Sequence, residues 1–395
     1  MPSKIKSNPS RRQFIQQVAA GTLGVMGSSL TAGCTNPSAM TGLITLYVGT
    51  YTAGDSRGIY RLRMDPDTGL LDEPQLVAVA ENPSFLALHP SGQWLYAVNE
   101  LMEYEGEVSG SVTAYAIAPD SGELLQLNQL SSQGGAPCYV SVDATGQWVL
   151  VANYMGGNVA VYPVEEGGML GNMAALASHS GSSVNEKRQE GPHAHAVVLD
   201  PGNQRAVVAD LGIDQLVTYN LDANTGALTP TKMPFFINAG AGPRHVAFHP
   251  DGKHAFVINE LDSTMLALQY MPDTGGFELL DTISTLPDTF AGTSYCADIH
   301  VSPDGRFVYG SNRGHDSIAI ASFDAVAGNL EVVGHESTKG KTPRNFTLDP
   351  TGNFLLVANQ NSNTIFVFKR NAETGLLAST GQRVEVPSPV CLKFA

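Results

Sequence analysis

Residues of the kinds that move protons and hold anions stand at recurring places in this chain. They are His193 and His195 in GPHAH, Arg244 and His245 in GPRH, Glu260, Asp298 and His300 in ADIH, Arg313 and Arg344. A carboxylate or an imidazole takes a proton from water, or returns one to a leaving alkoxide. A guanidinium grips a carboxylate or phosphate with two parallel donors, or steadies a developing oxyanion. The stretch GPRHVAFHPDGKHAFVINE, Gly242 to Glu260, raises the question of position. It reads as a strand, a tight turn and a second strand, with Arg244 at one outer limit and Glu260 at the other.

The elements that must position these groups are repeated. One phrase returns as HPSGQWLYAVNE, DATGQWVLVANY, DPGNQRAVVAD, HPDGKHAFVINE, SPDGRFVYGSNR and DPTGNFLLVANQ. A second alternates with it, in forms such as DPDTGLL, APDSGELL, DANTGAL and NAETGLL, and its glycines run from Gly69 to Gly375. The period is about 50 residues, as for a propeller blade of four antiparallel strands. Two turn types per period join four strands, and such a sheet buries both faces only when stacked radially. The first period, Leu46 to Gly69, lacks an innermost strand. The last residues, PVCLKFA (Pro389 to Ala395), match the opening of the other blades, as in PSFLALH (Pro83 to His89). The expected fold is therefore all-β: a seven-bladed propeller over residues 44–395, closed by the C-terminal strand joining the N-terminal blade.

Antiparallel neighbours return to the side they left. The start of each innermost strand and the end of the second strand then share one face, at the mouth of the central channel. The starts are Ser84, Cys138, His195, Arg244, Ala297, Arg344 and Val390. The ends are Thr50, Glu100, Tyr154, Asp210, Glu260, Arg313 and Gln360, most of them preceded by an Asn (Asn99, Asn153, Asn259, Asn312, Asn359). The Asn ring reads as structural, because Asn at strand ends satisfies nearby backbone. The other positions differ from blade to blade and gather charge of both signs, which marks a concave ligand site. His193, His195, Arg244, His245, Glu260, Asp298, His300, Arg313 and Arg344 all fall near the mouth. Substrate-binding candidates are Arg344, Asp298, His300, Glu100 and Tyr154.

Plainer readings stand beside these. Arg244 and Glu260 also suit a structural ion pair. His193 and His195, two apart on a strand, point to one side and suit a metal, but no acidic partner stands at a fixed spacing, so neither metal nor cofactor is expected. Cys138 reads as a small buried hydrophobe rather than a nucleophile. His89, His249 and His254 fall at turns of the opposite face and are expected to be solvated.

The N-terminus lies outside the repeat. SRRQFIQ carries Arg11 and Arg12 ahead of a weakly apolar stretch that ends in LTAGC. It resembles a twin-arginine export signal with a lipobox over residues 1–34, acylated at Cys34, followed by a polar tether over residues 35–43. Removing residues 1–33, with Lys4, Lys6, Arg11 and Arg12 and no acid, takes the net charge from −15 to −19. So acidic a chain repels nucleic acid and anionic headgroups, leaving the membrane only the N-terminal lipid or signal. The expected location is periplasmic or on the cell surface. Cys138, Cys296 and Cys391 are too sparse for a disulfide framework.

GPHAHAVVLDP (Gly191 to Pro201) and GPRHVAFHPDGKHAFVINEL (Gly242 to Leu261) resemble the seven-bladed β-propeller lactonases, which include 6-phosphogluconolactonases and carboxy-cis,cis-muconate cyclases. SPDGRFVYGSNRGHDSI and TPRNFTLDPTGNFLLVANQ are similar to propellers more broadly. The resemblance implies a histidine, a glutamate and two arginines at the active centre. These fall on His193 or His195, on Glu260, and on Arg244 and Arg313. The implied activity is hydrolysis of a lactone of a sugar acid or related anion. A cyclase acting on an unsaturated acid and a non-catalytic exported binder remain the alternatives.

Overall fold

The protein is described here as a computed structural model, which covers residues 42–395; Arg11, Arg12 and Cys34 lie outside the described residues. Residues 42–395 form one compact unit. Seven sheets of four antiparallel strands follow one another, six of them built from consecutive strands, and the fourth carries the extra short strand Phe235–Phe236. No helix among the described residues is long and apolar enough to cross a membrane.

The ring closes as the repeat predicts. Pro389–Phe394 is the innermost strand of blade 1 and pairs antiparallel with Ile44–Thr50, with Leu46 opposite Phe394 and Val48 opposite Leu392. Closure hides the edge of Ile44–Thr50. Leu46, Val48, Leu62 and Leu392 pack there against Leu356 and Val367 of blade 7, all essentially without exposure. Each such side chain contributes about 1.5–3 kcal/mol by leaving water.

The first phrase makes a tight turn between the two inner strands. Its glycine takes a left-handed conformation, with φ of 70° at Gly92 and 74° at Gly146. In blade 4 Asn203 fills that place at φ 53°, a conformation Asn tolerates. The phrase often opens on a carboxylate that caps the second strand: Asp143 accepts from the Trp148 amide, and Asp349 from the Phe354 amide, both at 2.7 Å. His89 and His249 open it differently. Their Nε2 atoms lie 3.0 Å from the carbonyls of Gly146 and Gly305, in the turns of the following blades. His254 is buried and held by Asp251 at 2.7 Å. These histidines therefore staple turns together and are not free in solvent. His249, Asp251 and His254 form the one histidine–acid grouping compact enough for a metal among the described residues. Hydrogen bonds already occupy its Nδ1 and carboxylate atoms.

The Asn ring is structural. Asn99, Asn153, Asn312 and Asn359 are buried, and each donates from Nδ2 to a carbonyl of the segment that leads into an innermost strand, at 2.7–3.0 Å. Cys138, Cys296 and Cys391 are free and buried.

Candidate active site

Six of the innermost strands carry an extra residue near the mouth. The ladder slips around Val390 in blade 1, Cys138 in blade 3, His195 in blade 4, Arg244 in blade 5, Ala297–Asp298 in blade 6 and Arg344 in blade 7. A bulge leaves its extra residue unpaired and re-aims the side chain. The repeat locates these positions, but strict alternation predicts the wrong directions.

His193 and His195 show the consequence. His193 lies before the bulge. Its ring stacks on Tyr154 at 4.4 Å, its Nδ1 donates to the Tyr154 carbonyl at 2.9 Å, and its Nε2 meets Glu190 at 3.3 Å. His195, on the bulge, packs between Tyr154, Cys138 and His245, with Nδ1 3.7 Å from the Cys138 sulfur. Its Nε2 makes no hydrogen bond among the described residues. The two rings therefore do not form a shared metal pair, and of the two it is His195 that keeps a nitrogen free. Burial, then Arg244, His245 and Arg344, push its pKa well below the usual imidazole range, so it is neutral at pH 7. Burial also pushes the Cys138 thiol far up. It donates to the His195 carbonyl at 3.3 Å and is no thiolate nucleophile.

Glu260 is the hub of one side. Arg244 Nε donates to its Oε2 at 3.0 Å, and Arg313 Nη2 reaches the same oxygen at 2.8 Å. A third arginine, Arg188, donates from Nη2 to Oε1 at 2.6 Å and to the Tyr154 hydroxyl at 3.2 Å. The sequence reading missed Arg188, because it belongs to no repeat. The available signal was the longest connection between blades, from Ser178 to Ala194. Burial alone would raise the Glu260 pKa, but Arg313, Arg244 and Arg188 overcome it and hold the carboxyl far below its ordinary value. Glu260 is thus ionised and a weak base in this arrangement. Arg244 is brought down to about 10 by burial and by Arg313 and Arg344, and stays cationic at neutral pH.

The other side is built from blades 7, 1 and 2. Arg344 lies over the Tyr51 ring at 5.2 Å and has no carboxylate in salt-bridge reach among the described residues. Burial works against its charge, but Tyr51, Glu100 and Glu260 outweigh that and raise its pKa. The Tyr51 hydroxyl donates to Glu100 Oε2 at 2.8 Å. The cavity between is lined by Ser84, Glu100, Cys138, Arg244, His245 and Arg344, among others. Ser84 Oγ is buried there without a hydrogen-bond partner.

Beneath lies a floor. His245 Nδ1 donates to Asp298 Oδ1 at 2.7 Å, which leaves Nε2 to accept from Arg244 Nη1 at 3.2 Å. Asp298 also accepts from Asn345 Nδ2 and from the Phe346 amide. It further accepts from the Ile299 amide at 3.0 Å and meets His300 Nε2 at 3.1 Å. His300 lines an adjoining chamber with Tyr139 and Lys393, which shares Phe85, His245 and Asn345 with the mouth cavity. This histidine is two residues further along a strand that runs away from the mouth, and does not line the cavity beside Arg344 and Glu100. Asp298 likewise serves the floor.

The description "Lactonase, 7-bladed beta-propeller" matches residues 45–394. A 6-phosphogluconolactonase of Bacillus subtilis is 43% identical over 348 residues, covering 88% of this chain and 97% of that protein. One from Formosa agariphila is 34% identical over 352 residues, with 86% and 96% covered. The solved structure of the Pseudomonas aeruginosa periplasmic gluconolactonase PpgL superposes with a TM-score of 0.81 at 35% identity, covering 89% of this chain and 99% of that one. With a match over all seven blades, this chain belongs to the seven-bladed β-propeller lactonase family.

Proposed function

We propose that this protein opens the lactone of a sugar acid or a related anion at the channel mouth, outside the cytoplasm. One observation carries the reading. Arg188, Arg244, Arg313 and Arg344 gather around Glu260 and Glu100, beside a neutral His195, in a chain of net charge −15. A local cationic excess in an acidic protein attracts a small anion. The related 6-phosphogluconolactonases and the periplasmic gluconolactonase of Pseudomonas aeruginosa support the same class of activity.

His195 fits the proton work better than Glu260. Water on the free Nε2 gives its oxygen to the lactone carbonyl carbon and its proton to the imidazole. The oxyanion that forms is met by the arginine charges, and Arg344 is the one not committed to a carboxylate. The tetrahedral centre then breaks its bond to the ring oxygen, which leaves as an alkoxide and takes the proton from Nε2. An anionic substrate lifts the depressed pKa of His195 by adding opposite charge nearby. Glu260 holds three guanidiniums in place and limits their mutual repulsion.

The test is proton release after mixing residues 42–395 with δ- and γ-lactones of sugar acids. Acceleration over the spontaneous rate is expected for at least one. None across the panel overturns the reading in favour of a binding protein. The address rests on Arg11, Arg12 and Cys34. Arg11→Lys with Arg12→Lys is expected to retain precursor in the cytoplasm, and Cys34→Ala to abolish lipid labelling. Unchanged fractionation in both variants contradicts it.

A further inference from the structure

Arg188 differs from the other arginines of the mouth in origin and in exposure. Arg244, Arg313 and Arg344 stand on or beside the inner strands of their own blades. Arg188 comes from the connection between blades 3 and 4. That segment is folded on itself. The Gln189 amide donates to the Asn185 carbonyl at 2.7 Å, the Ser183 amide to the Gln189 carbonyl at 2.9 Å, and the Asn185 amide to Gln189 Oε1 at 3.2 Å. Gln189 is fully buried and donates from Nε2 to the Leu211 carbonyl of blade 4 at 2.9 Å. The loop is therefore a built support with an anchored base, and Arg188 precedes the anchor by one residue.

The guanidinium is only partly used. Nη2 alone makes both of its bonds, to Glu260 and to the Tyr154 hydroxyl. Nε and Nη1 make none among the described residues. The side chain keeps 35% of its exposure, against 3% for Arg244 and 15% for Arg313. One donor thus ties the group to the hub, while others remain for a ligand arriving from solvent. Paired guanidinium donors match the oxygens of a phosphate or carboxylate, which a lysine ammonium does not.

We propose that Arg188 is the specificity residue that reads the charged group remote from the lactone ring, favouring a phosphorylated sugar lactone over its unphosphorylated counterpart. The proposal rests on the lactonase reading above. Glu260 loses a partner in any Arg188 variant, which lowers turnover of every substrate, so the informative quantity is a ratio.

The experiment measures kcat/KM for 6-phosphoglucono-δ-lactone and for glucono-δ-lactone with wild type, Arg188→Ala and Arg188→Lys. Melting midpoints are taken on the same preparations. The preference for the phosphorylated lactone is expected to fall about 10-fold or more in Arg188→Ala, and to be partly restored in Arg188→Lys. An equal loss on both substrates, leaving the ratio unchanged, assigns Arg188 to holding Glu260 and overturns the proposal. Calorimetric binding of 6-phosphogluconate against gluconate separates the two readings. If wild type opens neither lactone, lactone hydrolysis fails. Weaker binding of 6-phosphogluconate, but not of gluconate, in Arg188→Ala still upholds the anion-reading role. Equal binding by wild type and variant sinks it.

Discussion

His245 of blade 5 donates its Nδ1 proton to Asp298 of blade 6 at 2.7 Å, across the joint between two blades. The same ring accepts from Arg244 through Nε2 at 3.2 Å. One neutral imidazole therefore links the floor of the mouth to the arginine that grips Glu260. Its pKa falls from 6.5 to about 4, mainly through burial and the charge of Arg244, against the pull of Asp298.

That shift sets a pH dependence. Between about pH 6.5 and pH 4 the unfolded chain binds a proton at this histidine and the folded protein does not. Stability then falls as pH is lowered through that window, by about 3 kcal/mol from this group. His195 acts in the same direction. Denaturant midpoints measured from pH 7 to pH 4 should fall, and His245→Asn should flatten the slope. An unchanged slope in the variant contradicts a neutral buried His245.

Ring closure makes a second prediction. Removing Ser388–Ala395 leaves Ile44–Thr50 an open edge and strips Leu392 from its packing against blade 7. Several kcal/mol should be lost, a large share of a typical domain's net stability. A truncated protein with the wild-type melting midpoint contradicts the shared blade.

The hub makes a third. Glu260→Gln keeps shape but leaves Arg244 and Arg313 without their carboxylate. Taking one partner from a buried ion pair costs about 3–5 kcal/mol. Turnover per folded molecule should also fall about 100-fold, because the guanidiniums lose their fixed positions. Lower stability with full activity per folded molecule reduces Glu260 to a structural residue. Lower activity at unchanged stability returns it to the role of proton carrier.

The turns and blade count are legible in the sequence because each blade repeats the same local chemistry, as Gly92 and Asn203 show at one turn position. The residues at the mouth are legible as the positions where the repeat stops repeating. Their directions are not. A bulge shifts the ladder by one residue at His195, and no residue type in GPHAH encodes it. Depth is also hidden: Asp298 and His300 both line the chamber beside the mouth cavity and not the cavity itself. Arg188 is invisible to any alignment of blades, since its loop has no counterpart in the other six.

The account turns most directly on His195. The deciding measurement is the initial rate of proton release from a sugar-acid lactone, for wild type and His195→Gln, with spontaneous hydrolysis subtracted and folding checked by melting. The account predicts a clear wild-type rate, a fall of about 100-fold or more in the variant, and a melting midpoint close to wild type. A folded His195→Gln variant that turns over at the wild-type rate would remove His195 from the chemistry.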